Sequence, residues 1–590
     1  MGTPIVVDCH SHVFNAEDLP VDGFIRRLSP LPSLLTGVFS KPLDRLTQWV
    51  APGSAEMQYI LDRLGGATGT ESLAPTAPLG AELLSDEELD ARLVAMLPIR
   101  AVAEPALETV AAPSTEDGSL RALEGAIAEA SPEQRAELNA WLADVGQPPV
   151  DEPSPPAGQE SLSPGALWAQ ARAVRGAAHR YLALLRLATR HRHVIAAELA
   201  TTYPEVSLFV PALVDFSHTA RDVPATDVPT QITIHSLLAK MSITARIPGA
   251  PDARFHPMVG YCPYREVATS ELSRWEPTSH ETNPYIPYAD LPQATTEDHH
   301  HPGMRYDPSR ARSLRQPSGP WHTARLDLGG VERSLDLVRH AVEVGGFVGV
   351  KLYPPAGYLP MGNVARFGER VGGRLDAALR ALYSYCEVEQ VPVLTHAAFS
   401  VGFEDGYADL AAPTGWAAVL ADHPELRLCF GHFGHLHGTG PDGTPGPASW
   451  PYRFMELIDQ YPHVYADIGN SHVAAADAYR RRFIRLLSTL LGPRDSEEPV
   501  HLARRRRVMF GSDFWMNLTG PNHRSFLAVV DREVEAMVGE TARRDFMGAN
   551  ALRWLGLTGE DDEPDLANRN RRRLVDFYGD HPLPSWLEHP

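Results

Sequence analysis

Two histidines one residue apart, His10-Ser11-His12, follow a short β-branched run, Ile5-Val6-Val7. On a strand, residues i and i+2 point to the same face, so both imidazoles can reach one cation. Imidazole suits zinc and other first-row divalent ions, and a carboxylate completes a mixed nitrogen and oxygen set. Alone, such a pair is a weak signal in a chain with 25 histidines. Its weight comes from company. His396 closes VPVLTH, His432 closes LRLCFGH and Asp513 closes VMFGSD, while Lys351 and Asp467 sit at the ends of GVKLY and VYAD. Singly, each has a blander account: His396 or His432 as a satisfied buried histidine, Asp513 as a helix N-cap. Packing alone would scatter such residues instead of placing them at the ends of successive apolar strands.

The elements that must position them alternate. Strands are expected at Ile5–Val7 running into the His pair, then at Val206–Phe216, Arg254–Cys262, Phe347–Tyr353, Val391–His396, Leu426–His432, Val464–Ile468 and Val508–Asp513. Helical patterns stand between most of them; Leu375–Glu389, for instance, carries apolar residues at 375, 378, 379, 382 and 386. Short, nearly continuous apolar strands alternating with helices indicate a buried parallel sheet. Eight such units predict an α/β fold, a (β/α)8 TIM barrel, whose C-terminal strand ends form one mouth.

The barrel is expected over 1–40 and 176–560, interrupted twice. Residues 41–175 read as a helical insertion with an acidic, Pro-rich linker at Gln147–Pro164, and 265–325 as an irregular insertion. Residues 561–590 read as a C-terminal tail. The helical block carries no metal-ligand spacing, nucleotide loop or nucleophile motif, so it is expected over the mouth or along one flank. His299–His301 reads as a solvated loop, and Arg504–Arg507 as a solvated basic patch on the face away from the mouth.

Charge and composition exclude other classes. The 53 Lys+Arg against 74 Asp+Glu give a net charge of −21, which argues against a nucleic-acid or anionic-membrane partner. Hydrophobic residues make up 43% of the 590, enough for a large core. Four scattered cysteines without a CxxC pair exclude a disulfide scaffold or zinc ribbon and fit a reducing compartment. With no signal-peptide pattern and no apolar run near about 18 residues, the expected location is cytoplasmic. The expected partner is a small-molecule substrate, and a homo-oligomer stays open.

Taken together, VVDCHSH, GVKLYPP, VPVLTHA, LRLCFGHFG, VYADIG, VMFGSDF and the closing FMGANALRWLGL resemble the amidohydrolase superfamily of metal-dependent barrels, in particular the amidohydrolase-related (amidohydrolase 2) family. The resemblance covers about 1–40 and 180–557. It implies that His10, His12 and His396 are metal ligands, that Asp513 is both ligand and proton shuttle, and that His432 is a catalytic acid/base. It also implies one divalent ion per chain, zinc first, or two if Lys351 is carbamylated as in binuclear members. Otherwise Lys351 is a structural or substrate-binding cation. Tyr353, Tyr358, His435 and His472 follow strand ends and are candidates to touch substrate.

The resulting expectation is a hydrolase that activates water on a metal and cleaves a C–N or C–O bond, of amide, lactam or lactone type. A non-oxidative decarboxylase on the same metal set is the alternative. A dead barrel serving as a scaffold is the third, and five intact polar groups at one mouth argue against it.

Overall fold

The structure is a computed structural model that describes residues 5–18, 53–66, 184, 187–216, 227–244, 247, 250–270, 333–399, 406–474, 477–518, 520, 522–558 and 569–588. Of the helical insertion, only the stretch 53–66 falls within these. The rest of 41–175, including Gln147–Pro164, and the stretch 271–325 with His299–His301 lie outside the described residues.

The architecture is mixed α/β with parallel sheets. The strands are β1 (Val7–Ser11), β2 (Leu208–Pro211), β3 (Arg254–Phe255), β4 (Met258–Gly260), β5 (Gly349–Leu352), β6 (Val393–His396), β7 (Leu428–Gly431), β8 (Val464–Asp467) and β9 (Val508–Met509). Among the described residues, every pairing between these strands is parallel. One sheet runs β1-β2-β3 and the other β4-β5-β6-β7-β8-β9. Nearly all strand residues are buried, as expected for strands covered on both faces.

One expected strand is broken. Arg254–Cys262 divides into β3 and β4 at His256-Pro257. Pro257 has no N–H to donate, so the ladder cannot continue through it. An isolated parallel bridge between Ala212 and Met258 spans the break.

Helices fill the connections: α1 (Gly53–Gly66), α2 (Arg192–Thr202), α3 (Val228–Thr244), α4 (Pro263–Thr269), α5 (Ser334–Val344), α6 (Asn363–Val388), α7 (Thr414–Asp422), α8 (Trp450–Gln460), α9 (Asp477–Leu491), α10 (Pro499–Arg505) and α11 (Phe526–Val538). They are amphipathic in the ordinary way. In α5, Leu337, Val338, Ala341 and Val342 face the core while Asp336 and Arg339 lie on the more exposed side.

Arg504–Arg507 is not a solvated patch; only Arg506 of the four is exposed. The Arg505 guanidinium donates to Leu491 O at 3.0 Å and Gly492 O at 3.2 Å, and Arg504 donates to Leu490 O at 2.9 Å. Arg507 donates to Tyr461 O at 3.0 Å. Helix C-termini leave carbonyls without intrahelical partners, and these arginines supply the missing donors for α8 and α9.

Two further helices lie in the C-terminal stretch, α12 (Arg569–Tyr578) and α13 (Ser585–Glu588). Leu574, Tyr578, Trp586 and Leu587 join one buried cluster with Val7, Leu208, Met258, Leu394, Cys429 and Met509 of the strands. His256, in the β3–β4 break, donates from Nδ1 to Gly346 O at 3.0 Å and meets Tyr578 Oη at 3.1 Å through Nε2.

Helix α1 is tied to the strand-1 loop by a buried ion network. Arg192, 1% exposed, contacts Asp18 Oδ2 at 2.8 Å and Glu56 Oε2 at 3.0 Å, and Glu56 Oε1 accepts the His193 N–H at 2.8 Å. Glu56 thus caps the first turn of α2 from another segment of chain. Although burial opposes its charge, His193 and Arg192 hold the Glu56 carboxyl down to about 2.

Candidate metal centre

The strand ends converge. Ligand atoms of His10, His12 and Asp513 lie within 4.8 Å of one another, and all three residues are buried. A second group, His10, His432 and Asp467, meets the same limit. His10 fits there because three glycines make room for it. A Cβ on Gly511 would stand 2.9 Å from His10 Cβ, one on Gly431 3.1 Å from Cε1, and one on Gly469 3.2 Å from Nδ1.

The hydrogen bonds fix which ring nitrogens carry protons. His12 Nδ1 donates to Ala212 O at 2.6 Å, so Nε2 presents a lone pair. That nitrogen lies 3.1 Å from Asp513 Oδ1, which has no hydrogen-bond partner. Two acceptors this close repel unless a proton or a cation is shared between them. His432 Nδ1 donates to Gly469 O at 2.8 Å, so its Nε2 accepts from His396 Nδ1 at 3.0 Å. That relay turns His396 Nε2 outward as a lone pair, and it is buried without a partner. The unpartnered Asp513 oxygen beside the His12 lone pair, with a second unpartnered buried acceptor on His396, is the kind of donor set a divalent cation needs. The residues fit a metal. His396 stands outside the tight group, its ring centroid 4.6 Å from that of His432.

Burial keeps the imidazoles neutral. It lowers His10, pushes His432 down to about 4, and holds His396 well below the usual histidine range. Asp513 goes the other way: despite burial, the His12 imidazole beside it holds its carboxyl far below the ordinary carboxylate value. His10, His396 and His432 are therefore held neutral and Asp513 ionised, the forms that ligate metal. Asp513 heads the short helix Phe514–Asn517 but makes no side-chain cap, so the N-cap account of it fails. Its backbone is left-handed, with φ 47°, and His432, Phe433 and His435 also have positive φ. Such strain in non-glycine residues gathers at functional sites.

The other expected residues divide. Lys351, 2% exposed, places Nζ 2.9 Å from His10 Nε2, and burial lowers it to about 8. The Tyr353 ring lies 4.7 Å from that of His396. Tyr358 is 1% exposed, and its hydroxyl accepts the Tyr353 N–H at 2.9 Å, so it braces Tyr353. Half-buried His435 reaches Gly469 O at 3.1 Å, and burial pushes it down to about 3. His472 is exposed, edge-on to Tyr479.

Two carboxylates have functions the strand-end pattern did not disclose. Asp467 faces His10 Nδ1 at 3.1 Å and accepts the N–H groups of His432 at 3.1 Å and Gly469 at 2.8 Å. Asp8 accepts the Ser512 N–H at 2.8 Å and its hydroxyl at 2.5 Å, locking β1 to the loop that carries Asp513; burial pushes Asp8 up to about 7. Asp467 closes a strand just as His396 does. Asp8 had no such signal, since its partner lies 504 residues away.

The amidohydrolase family model matches residues 252–557, more than half of the chain, and the chain belongs to that family. His396, His432, Asp467 and Asp513 fall inside the match, whereas His10 and His12 precede it. A solved amidohydrolase from Burkholderia multivorans with bound HEPES aligns at 17% identity with a TM-score of 0.25, over 48% of this chain and 96% of that one. No curated protein matches the chain. Family membership carries a hydrolase or related activity, and the family is generally metal-dependent. Among the described residues, no helix is long and apolar enough to cross a membrane.

Proposed function

We propose that the protein is a metal-dependent hydrolase that cleaves a C–N or C–O bond, of amide, lactam or lactone type, in a small organic substrate. The observation carrying this reading is the buried His10, His12 and Asp513 group, with Asp513 Oδ1 unpartnered beside the His12 lone pair. His10, His12, His396 and Asp513 would hold one divalent ion, zinc first. When bound, such an ion supplies a water whose pKa falls from 15.7 toward about 7.

The chain's own groups do the rest. Asp513 enters ionised and can take a proton from the attacking water. His432 is neutral, with its proton on Nδ1 held by Gly469 O, so Nε2 is the lone pair that would take up a proton during the reaction and return it to the leaving group. Tyr353, half-buried beside His396, and His435 border the place a substrate would occupy.

The strands are read as one closed (β/α)8 barrel. Cys9 N–H donates to Phe510 O at 3.3 Å and Asp513 N–H to His10 O at 2.7 Å, joining first strand to last. The Ala212–Met258 bridge joins the two sheets.

Elemental analysis of protein purified without added metal, followed by a panel of amides, lactams and lactones, tests the proposal. The expected result is about one zinc per chain and metal-dependent turnover with uptake of water. Release of CO2 without water incorporation would replace hydrolysis by decarboxylation. A protein that takes up no metal would end the reading.

A further inference from the structure

We propose that Asp467 is a positioning residue that fixes the tautomer of His10, so that Nε2 is the atom His10 offers to a cation. Its consequence for metal binding rests on the metal-site reading above, whereas its geometry does not.

Asp467 is completely buried, and both its oxygens are in use. Oδ1 accepts the backbone N–H groups of His432 and Gly469, at 3.1 and 2.8 Å. His10 Nδ1 faces both oxygens, 3.1 Å from Oδ2 and 3.2 Å from Oδ1, with Cys429 Sγ 3.6 Å from Oδ2. Every group pointed at this carboxylate is a donor, so His10 carries its proton on Nδ1. The far side of the ring agrees. Lys351 Nζ lies 2.9 Å from His10 Nε2, and an ammonium has donors only, so Nε2 must be the lone pair.

The same accounting separates the two candidate groups. In His10, His432 and Asp467, the carboxylate is saturated, and His432 spends Nδ1 on Gly469 and Nε2 on His396. In His10, His12 and Asp513, Oδ1 is unpartnered. A cation belongs with Asp513, and Asp467 serves behind His10. Asp467 also anchors the backbone of His432, so one carboxylate sets two histidines.

Asp467→Asn exposes the dependence. An amide has one acceptor oxygen where the carboxylate has two. If that oxygen stays with the two backbone donors, the NH2 replaces Oδ2, the nearer of the two oxygens to His10 Nδ1, and that donor favours the tautomer protonated on Nε2. If the amide flips, its NH2 meets two N–H groups.

The test uses the full chain with 15N-labelled histidine, stripped of metal, as wild type, Asp467→Asn and His10→Ala, the last to identify the His10 signals. Zinc affinity is measured separately by chelator competition. Wild-type His10 should be protonated on Nδ1. In Asp467→Asn the Nε2-protonated form should appear and zinc affinity should fall about 10–100-fold, the usual cost of losing such a partner, with the thermal melt still cooperative. Wild-type His10 protonated on Nε2, or an Asp467→Asn protein binding zinc like wild type, overturns the proposal. If the variant does not fold, the wild-type tautomer decides. If wild type takes up no zinc, the metal-site reading fails, and the tautomer still decides the role of Asp467.

Discussion

At the scale of single residues, the proposed site divides into ligands and groups that move protons, and substitutions should separate the two. Asp513→Asn keeps an oxygen but removes the base. Turnover should fall by about 10²–10⁴-fold while part of the metal remains. His432→Asn should lower turnover with metal content nearly unchanged, because both His432 nitrogens are committed to Gly469 and His396. His10→Ala should lose metal and activity together. Paired activity and elemental measurements on each variant check this. If His432→Asn strips the metal as fully as His10→Ala, His432 is a ligand. Much of this centre is legible in the chain, because His and Asp at the ends of apolar strands have few packing explanations. Proton placement was not legible. It depends on carbonyls such as Ala212 O and Gly469 O, whose positions only the folded backbone sets.

At the scale of elements, strand and helix identities follow from apolar pattern, and the departures have local causes. Pro257 divides a strand that reads as continuous, because the apolar run hides one missing donor. The arginines at 504–507 read as solvated because their charge is visible and the helix-end carbonyls that absorb it are not. His256, inside the break, yields a pH prediction. Burial pushes it down to about 4, against 6.5 for an ordinary histidine. The unfolded chain therefore binds the proton more readily than the folded one. The stability His256 contributes is whole above about pH 6.5 and is lost as pH falls toward 4. Melting temperatures of wild type and His256→Gln between pH 7.5 and 4.5 should diverge in slope, with the variant falling less steeply. Equal slopes would show that His256 titrates no differently in the fold.

At the scale of the whole molecule, distant segments hold one body together. Arg192 joins the strand-1 loop to α1, and removing it leaves buried Asp18 and Glu56 without their shared cation. Arg192→Ala should cost about 3–5 kcal/mol, read as a lower denaturation midpoint. Trp586, 1% exposed in α13, packs beneath the strands, and Trp586→Ala should cost a similar amount, about 3–5 kcal/mol. A small effect at Trp586 would mean that α13 is dispensable to the core. The bond from Asp8 to Ser512 spans 504 residues, and it has a consequence for how the molecule comes into being. At about 5–20 residues per second, roughly 25 to 100 seconds of translation separate the birth of the His10–His12 pair from that of Asp513. Through that interval the nascent chain has the two imidazoles but lacks Asp513. On the proposed metal-site reading, a cation met on the ribosome would be held loosely, and tight capture would wait until nearly the whole chain has been made.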